Sequence, residues 1–395
     1  MFFNPSSKSK SSVYGNTPII SDNKNTFYNI EADIQVSGNI VDIKQDIYLK
    51  SPEKDIFVYI PSSNMAATTI ESVSGDGDVK SSVQADTNME ITCEKPQSKI
   101  SINYKIAMDS QRQILSYSEN CILLTEFLIT PAVYKDDKPV QTYKWPFGDP
   151  YIYDMNNYRI TLKADKGYNV FAPGEKQEKV SGDFRTALFE AQNLRDFPLV
   201  LIRDANVKTE KFGDTNVYYI NSYPARDYIT AAMKFAQKNI GPYPYKEFFV
   251  VNAPISSNEG MEFSNMVFLS DNCFTNLQNL ERVTYHEVFH EWFYGIIGTN
   301  QLDQPFLDEG LVNYLSILLA GDKLNTTYNN SFLKMHLNDY QSKEQYINIA
   351  YNDATIYFYD LHKKLGDSFY KSLKKLYNEK KNTIVYYKDF IKYFN

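Results

Sequence analysis

His286-Glu287-Val288-Phe289-His290 places two of the four histidines of this chain four residues apart. On an α-helix, residues four apart project from the same face, so both imidazoles can reach one ion while Glu287 faces a water molecule beside it. Residues 291–308 separate this motif from Glu309, whose carboxylate can supply a third ligand. Two imidazoles, one carboxylate and one position left for water are the ligand set of a catalytic zinc ion.

Apolar residues around the motif recur at helical spacing, which predicts a largely buried helix from about Asn276 to Ile297. Two glycines loosen the chain before Pro305, and Phe306 to Leu315 are predicted to begin a second helix. This second helix carries Glu309 and is expected to lie antiparallel to the first. The apolar residues that define the first helix are Val283, Phe289, Trp292, Phe293, Ile296 and Ile297.

The wider sequence predicts an α+β fold in two domains. The chain has 395 residues, 43% apolar and 23% charged, which is ordinary usage for a globular protein. Between residues 27 and 203, alternating apolar residues and recurrent turns predict an N-terminal all-β domain, a sandwich or a saddle-shaped sheet. Residues 204–395 are predicted to form a mainly helical domain under a small mixed sheet. Residues 1–26 are predicted to be a flexible polar leader.

Charge and composition exclude several other classes of protein. A net charge of −7 and a pI near 5.3 leave no basic surface for nucleic acid. The three cysteines contain no Cys-x-x-Cys pair, so neither a disulfide framework nor a thiolate metal site is predicted. No apolar run is long enough to span a membrane. At face value we expect a cytoplasmic protein; the alternative is an exported or anchored one whose signal or anchor was removed, and the oligomeric state stays open.

The zinc motif, its spacing and the stretch Phe306-Leu307-Asp308-Glu309-Gly310 resemble peptidase family M1, the aminopeptidase N-like zinc metallopeptidases of the gluzincin type. Gly148 to Tyr158 resembles part of that family's N-terminal sheet domain, and Gly241 to Tyr245 resembles the start of its catalytic domain. The resemblance covers roughly Phe27 to the C-terminus. It implies a thermolysin-like catalytic domain, one Zn²⁺ per chain and a peptide substrate. The helical C-terminal domain that many members carry is expected to be absent.

Two further segments resemble substrate-binding parts of the same family. Family members carry a Gly-x-Met-Glu-Asn segment whose Glu binds the substrate's amino group, and Gly260, Met261 and Glu262 match it here. Gly260 also lets a peptide backbone approach closely. A second segment resembles the one whose Tyr hydrogen-bonds the oxyanion, and Tyr351 is the matching residue. The departures from the family pattern are Glu259 for Gly, Phe263 for Asn, and Asp353-Ala354 for Lys-Gly.

Together these features predict an aminopeptidase that hydrolyses the N-terminal peptide bond of peptides with zinc-activated water. His286, His290 and Glu309 are the expected metal ligands. Glu287 is the expected general base and then general acid. Two alternatives remain open at this stage: a zinc endopeptidase with the same residues, and a peptide-binding relative without catalytic activity.

Overall fold

The computed structural model describes residues 27–61, 66–84, 86–110, 112–324 and 329–395. The predicted leader, residues 1–26, lies outside them. In the first half the alternation of apolar residues builds long strands, because every second side chain can be buried on one face. The strands up to residue 202 are β1 Tyr28–Ser37, β2 Ile40–Tyr59, β3 Ala66–Ser74, β4 Val79–Gln84, β5 Asn88–Met108, β6 Ser116–Tyr117, β7 Cys121–Leu124, β8 Thr130–Pro131, β9 Tyr134–Lys135, β10 Lys138–Pro139, β11 Asn156–Asp165, β12 Asn169–Phe171, β13 Glu175–Ser181, β14 Phe184–Leu194 and β15 Leu199–Ile202.

Most of these strands form one large sheet in the order β13-β14-β11-β1-β2-β5-β3, with β4 beside β5 and β8 beside β2. A smaller sheet, β12-β15-β7-β6, covers it. Alternate residues of the smaller sheet face opposite ways: Ile122 and Leu124 join the core of the large sheet, whereas Leu123 and Val200 join a second core with Phe268. The smaller sheet therefore packs between the large sheet and the part of the chain that follows.

The second part is mainly helical around a mixed sheet in the order β16-β17-β18-β20-β19. Strands β17, β18 and β20 are parallel, and β19 runs antiparallel at the edge. The elements are β16 Val207–Phe212, β17 Thr215–Ile220, α1 Arg226–Asn239, β18 Glu247–Ala253, β19 Gly260–Phe263, β20 Met266–Ser270, α2 Leu277–His290, β21 Gly298–Thr299, α3 Pro305–Ala320, α4 Lys343–Tyr346, a π-helical turn Ile347–Asp353, α5 Ala354–Leu365, α6 Ser368–Lys380, β22 Ile384–Val385 and α7 Tyr387–Phe390. Short 3₁₀ turns lie at Tyr223–Ala225, Asp271–Thr275, Asn330–Lys334, Leu337–Asp339 and Ile391–Phe394.

These elements confirm the α+β class: a β-rich first part precedes a mainly helical second part. The strands of the first two sheets end at Ile202, and we keep residues 27–203 and 204–395 as the proposed division of the chain. Within the described ranges, no helix is both long and apolar enough to cross a membrane.

The helix that carries the histidine pair begins where the sequence predicts but ends earlier. The Asn276 side chain caps it by accepting hydrogen bonds from the first backbone N–H groups. The helix ends at His290, so its predicted extension to Ile297 is wrong. Beyond His290 the chain turns at Tyr294, whose φ of 134° is incompatible with a helix. The apolar spacing of the residues after His290 reflects their burial in the core, which does not require a helix.

Candidate metal centre

Three donor atoms meet between α2 and α3. The Nε2 atom of His286 lies 3.0 Å from Nε2 of His290 and 3.1 Å from Oε2 of Glu309, and His290 Nε2 lies 3.4 Å from the same oxygen. A tetrahedral ion bound at about 2.0 to 2.2 Å holds its ligand atoms about 3.3 to 3.6 Å apart. The separation of 3.4 Å falls in this range and the other two are slightly shorter, so the three side chains are close enough to share one ion, and they form a group with the composition of a metal site.

The two helices run antiparallel, as the sequence predicts. Near the end of α2, His290 contacts Asp308 at the start of α3, whereas Arg282, a little more than two turns earlier in α2, pairs with Asp322 just beyond the end of α3. Pro305 begins α3 as its first residue, where proline loses no helical hydrogen bond. This arrangement brings Glu309, one turn into α3, against the histidine face of α2.

A chain of hydrogen bonds orients His290. Its Nδ1 atom lies 3.1 Å from Oδ1 of Asp308 and 3.1 Å from the carbonyl oxygen of Phe293. The other oxygen of Asp308 accepts hydrogen bonds from the side chains of Thr299 and Gln301, at 3.1 and 2.8 Å. Holding Nδ1 in this way turns Nε2 toward the other donors, as outer partners of metal-bound histidines do. Asp308 was not singled out by the sequence patterns, although it immediately precedes Glu309.

The electrostatics of this region favour a cation. Burial opposes a charge on His290, but the neighbouring carboxylates of Glu262 and Asp308 outweigh it and raise its pKa well above the usual value. Burial lowers the pKa of His286. For Glu309 the opposing effect of burial is overcome by hydrogen bonds from the two histidines, so its pKa lies far below the usual range. A surplus of buried acid around two imidazoles is a setting that a divalent ion would neutralise.

Glu287 lies in the wall of the same cleft. Its side chain is only 5% exposed, and its Oε2 atom has no hydrogen-bond partner within the described ranges. Burial, and then the charge of Glu262, raise the pKa of this carboxyl well above its usual value. Gly260 makes room for it, because a Cβ atom at Gly260 would overlap the Glu287 carboxyl group. The glycine is therefore needed for the close approach of β19 to α2.

Glu262 projects from β19, the edge strand beside α2. It is 4% exposed, it borders the cleft, and its Oε1 atom has no partner in the described part of the chain. Met261 also borders the cleft, although its side chain belongs to the core of the mixed sheet. Phe263, which departs from the family pattern, packs against Phe268 with ring centroids 4.8 Å apart. That departure is therefore accommodated in the core.

Tyr351 reaches the site from the π-helical turn Ile347–Asp353. Its ring stacks on His286 with centroids 5.8 Å apart and an interplanar angle of 14°. Burial, and then the charge of Glu309, raise the pKa of its phenol well above the usual value, so the hydroxyl keeps its proton. Single π-turns inside helices are frequent at functional sites. The turn places a phenolic donor beside the metal ligands.

The cleft has a volume of about 890 Å³ and receives residues from both parts of the chain. Asp149 and Glu126 border it from the first part. The Tyr151 hydroxyl donates a hydrogen bond of 3.2 Å to Asp149, and burial raises the pKa of Glu126 to about 8. Sequence reasoning missed both acids. Only Asp149 carried a signal, because it lies in the Gly148 to Tyr158 stretch that resembles the family.

The residues present fit zinc. Two imidazole nitrogens and one carboxylate oxygen are zinc's usual donors at catalytic sites, and thiolates are not involved. Glu262 and Glu287 border the same cleft, and each has one oxygen without a hydrogen-bond partner among the described residues, which a bound substrate or water can satisfy.

Comparisons with known proteins agree with this site. Residues 225–381 match the model of the peptidase family M1 domain, a range that contains the histidine pair, Glu309, Glu262 and Tyr351. No curated protein is similar enough in sequence to match the chain.

Solved structures share the fold at low sequence identity. An M1 zinc metallopeptidase from Deinococcus radiodurans is 14% identical, with a TM-score of 0.65 over 93% of this chain and 89% of its own. A two-domain M1 zinc metallopeptidase mutant bound to L-tryptophan is 13% identical, with a TM-score of 0.64 over 93% and 90%. Legionella pneumophila aminopeptidase A, in complex with aspartic acid, is 12% identical, with a TM-score of 0.69 over 93% of this chain and 47% of its own. The family match identifies residues 225–381 as a peptidase family M1 domain, and the likenesses to the solved M1 zinc metallopeptidases show that most of the chain shares their fold.

Proposed function

We propose that this metallopeptidase is an aminopeptidase. The observation that carries the proposal is Glu262, a buried carboxyl group that borders the cleft beside Glu287 and the metal ligands and whose Oε1 atom has no hydrogen-bond partner among the described residues. Burial raises the pKa of the Glu262 carboxyl well above its usual value, and the free ammonium group of a peptide bound beside it would stabilise the ionised form. Binding that ammonium fixes the first peptide bond near the metal, whereas an endopeptidase has no use for such a contact.

The residues divide the chemistry between them. A zinc ion held by His286, His290 and Glu309 supplies a Lewis acid and lowers the pKa of water at the site. Glu287 takes the proton from the attacking water and returns it to the leaving amine. The Tyr351 hydroxyl donates a hydrogen bond to the oxygen on which negative charge develops. Asp308 holds His290 in the tautomer and orientation that direct Nε2 to the site.

Two of the similar structures also support an aminopeptidase. The Legionella protein is an aminopeptidase and was solved with aspartic acid, and the two-domain metallopeptidase was solved with L-tryptophan. A free amino acid is the kind of product that removal of one N-terminal residue releases. The large cleft of this chain, about 890 Å³, also admits longer peptides, so an endopeptidase is the alternative to be tested.

Matched peptides with free and acetylated N-termini test the proposal. Acetylation removes the charge that Glu262 binds, so kcat/KM is expected to fall on the order of 10- to 100-fold, the usual range for a lost hydrogen bond to a charged group. Product analysis by mass spectrometry should show release of single N-terminal residues. Equal cleavage of both peptides, or cleavage at internal bonds, would instead identify an endopeptidase.

A further inference from the structure

Arg195 is a buried arginine whose charge is met by backbone carbonyl groups. It is 1% exposed and follows β14 in the first part of the chain. Its guanidinium donates to the carbonyl oxygens of Tyr153 at 2.8 Å, Tyr294 at 2.5 Å, Thr383 at 2.9 Å and Ile296 at 3.4 Å. Within the described ranges no carboxylate forms an ion pair with it. A buried charge costs free energy unless it is hydrogen-bonded, and two of its four acceptors, Tyr294 and Ile296, lie in the segment that follows α2.

The next residue, Asp196, bridges two walls of the cleft. One carboxylate oxygen accepts a hydrogen bond of 2.7 Å from the backbone N–H of Ser264, two residues after Glu262. The other accepts a hydrogen bond of 2.9 Å from the hydroxyl of Tyr294, four residues after His290. The Ser264 hydroxyl in turn accepts from the backbone N–H of Arg195 at 3.0 Å. One carboxylate thus joins the hairpin of Glu262 to the segment that follows His290.

Glu291 makes a similar connection between the hairpin and the segment that follows α2. Its Oε2 atom accepts hydrogen bonds from the backbone N–H of Asn265 at 3.2 Å and from the hydroxyl of Tyr243 at 3.0 Å. Because Glu291 directly follows His290, this second buried carboxyl group connects the β19–β20 turn to the end of α2.

The segment held in this way is strained. Tyr294 has a φ of 134°, a conformation that residues with side chains rarely adopt, so it persists only where its surroundings enforce it. Its carbonyl oxygen is bound by Arg195 and its hydroxyl by Asp196. Gly298 leaves space for the guanidinium, because a Cβ atom there would overlap it. The same segment provides the Phe293 carbonyl oxygen that contacts His290 Nδ1.

We propose that Arg195, Asp196 and Glu291 form a hairpin clamp that sets the distance between Glu262 and the metal ligands. They are positioning residues: they act through the β19–β20 turn and through the segment Glu291 to Ile297. The inference rests on the proposed function, since that distance selects the peptide bond next to the bound amino group. It also gives the first part of the chain a role in selecting the bond to be cut, through Arg195 and Asp196.

Three variants of the full chain test the clamp. Tyr294→Phe removes only the hydroxyl that donates to Asp196. Asp196→Ala removes both of that residue's bridging contacts, whereas Asp196→Asn keeps an acceptor for Ser264 and a polar partner for Tyr294. The matched control is Tyr219→Phe, which removes the hydroxyl of a buried tyrosine of β17 that hydrogen-bonds to Thr230 of α1. For each variant, zinc content, melting temperature, and kcat and KM for free and acetylated peptides are measured.

We expect Tyr294→Phe and Asp196→Ala to raise KM for free peptides about 3- to 10-fold at unchanged zinc content, with little change for acetylated peptides, which do not use Glu262. Asp196→Asn should stay within about twofold of the wild type, as should Tyr219→Phe. A fall in melting temperature with unchanged kinetics in both Tyr294→Phe and Asp196→Ala would show that the contacts are only structural and would overturn the clamp. If the wild type itself cleaves free and acetylated peptides equally, the proposed function fails, which is a separate result.

Discussion

Helix α2, which carries His286 and His290, and the β19–β20 hairpin form two walls of one cleft, and they are held in place by different kinds of interaction. On α2, helical geometry alone places His286 and His290 on one face, and the Asn276 cap fixes where the helix begins. On the hairpin, the position of Glu262 depends on contacts with distant residues, among them Asp196 and Glu291. Changes in the hairpin should therefore alter substrate recognition without loss of zinc. Changes at the metal ligands' partners should lower zinc affinity without altering the preference for free over acetylated peptides.

The largest effect is expected where the two walls meet, at Glu287. Replacing Glu287 by Gln removes the general base but keeps a side chain of the same size against Gly260. Turnover should fall on the order of 10²- to 10⁴-fold, the usual contribution of a general base, while zinc content stays at the wild-type level. Steady-state kinetics and metal analysis of the same sample measure both. Retention of full activity would remove Glu287 from the mechanism.

A smaller effect, confined to zinc affinity, is expected when Asp308 is replaced. Asp308→Asn weakens the contact that orients His290, so zinc affinity should fall on the order of 10- to 100-fold, as for other outer partners of metal-bound histidines. Competition with a chelator measures the affinity. With zinc in excess, the preference for free over acetylated peptides should remain, because Glu262 is untouched. A lost preference at full zinc occupancy would contradict the separation of the two walls.

The complementary change, in the β19–β20 hairpin, is Glu262→Gln, which should alter substrate recognition and leave zinc binding unchanged. The amide keeps the size of the side chain but loses its charge, so kcat/KM for free peptides should fall on the order of 10- to 100-fold. The value for acetylated peptides and the affinity for zinc should be unchanged. Steady-state kinetics with free and acetylated peptides, together with chelator competition for zinc, check this prediction. A parallel loss for acetylated peptides would mean that Glu262 does not bind the amino group.

The difference between local geometry and contacts with distant residues also explains which features the sequence could predict. The histidine pair, Glu309 and the antiparallel helices follow from periodicity and spacing, which are local properties of the chain. The end of α2 was predicted at Ile297 and lies at His290, because the turn at Tyr294 depends on Arg195, about one hundred positions earlier in the chain. Periodicity cannot report such a contact.

Other parts of the site show the same limit. Glu126 and Asp149 reach the cleft from the β-rich part, and only the folded chain brings them there. Tyr351 was identified through family resemblance, but the π-helical turn that presents it has no periodic signal in the sequence. Asp308 was overlooked because an acid beside another acid looks like ordinary helix surface, whereas it is fully buried against His290.

Metal analysis of the purified full chain, after loading with Zn²⁺ and dialysis, tests the convergence of His286, His290 and Glu309 most directly. One zinc ion per chain is expected for the wild type, and almost none for the double variant His286→Ala, His290→Ala, with circular dichroism to confirm that the variant is folded. A wild-type chain that retains no zinc, or a folded double variant that retains as much as the wild type, would contradict the proposed metal centre.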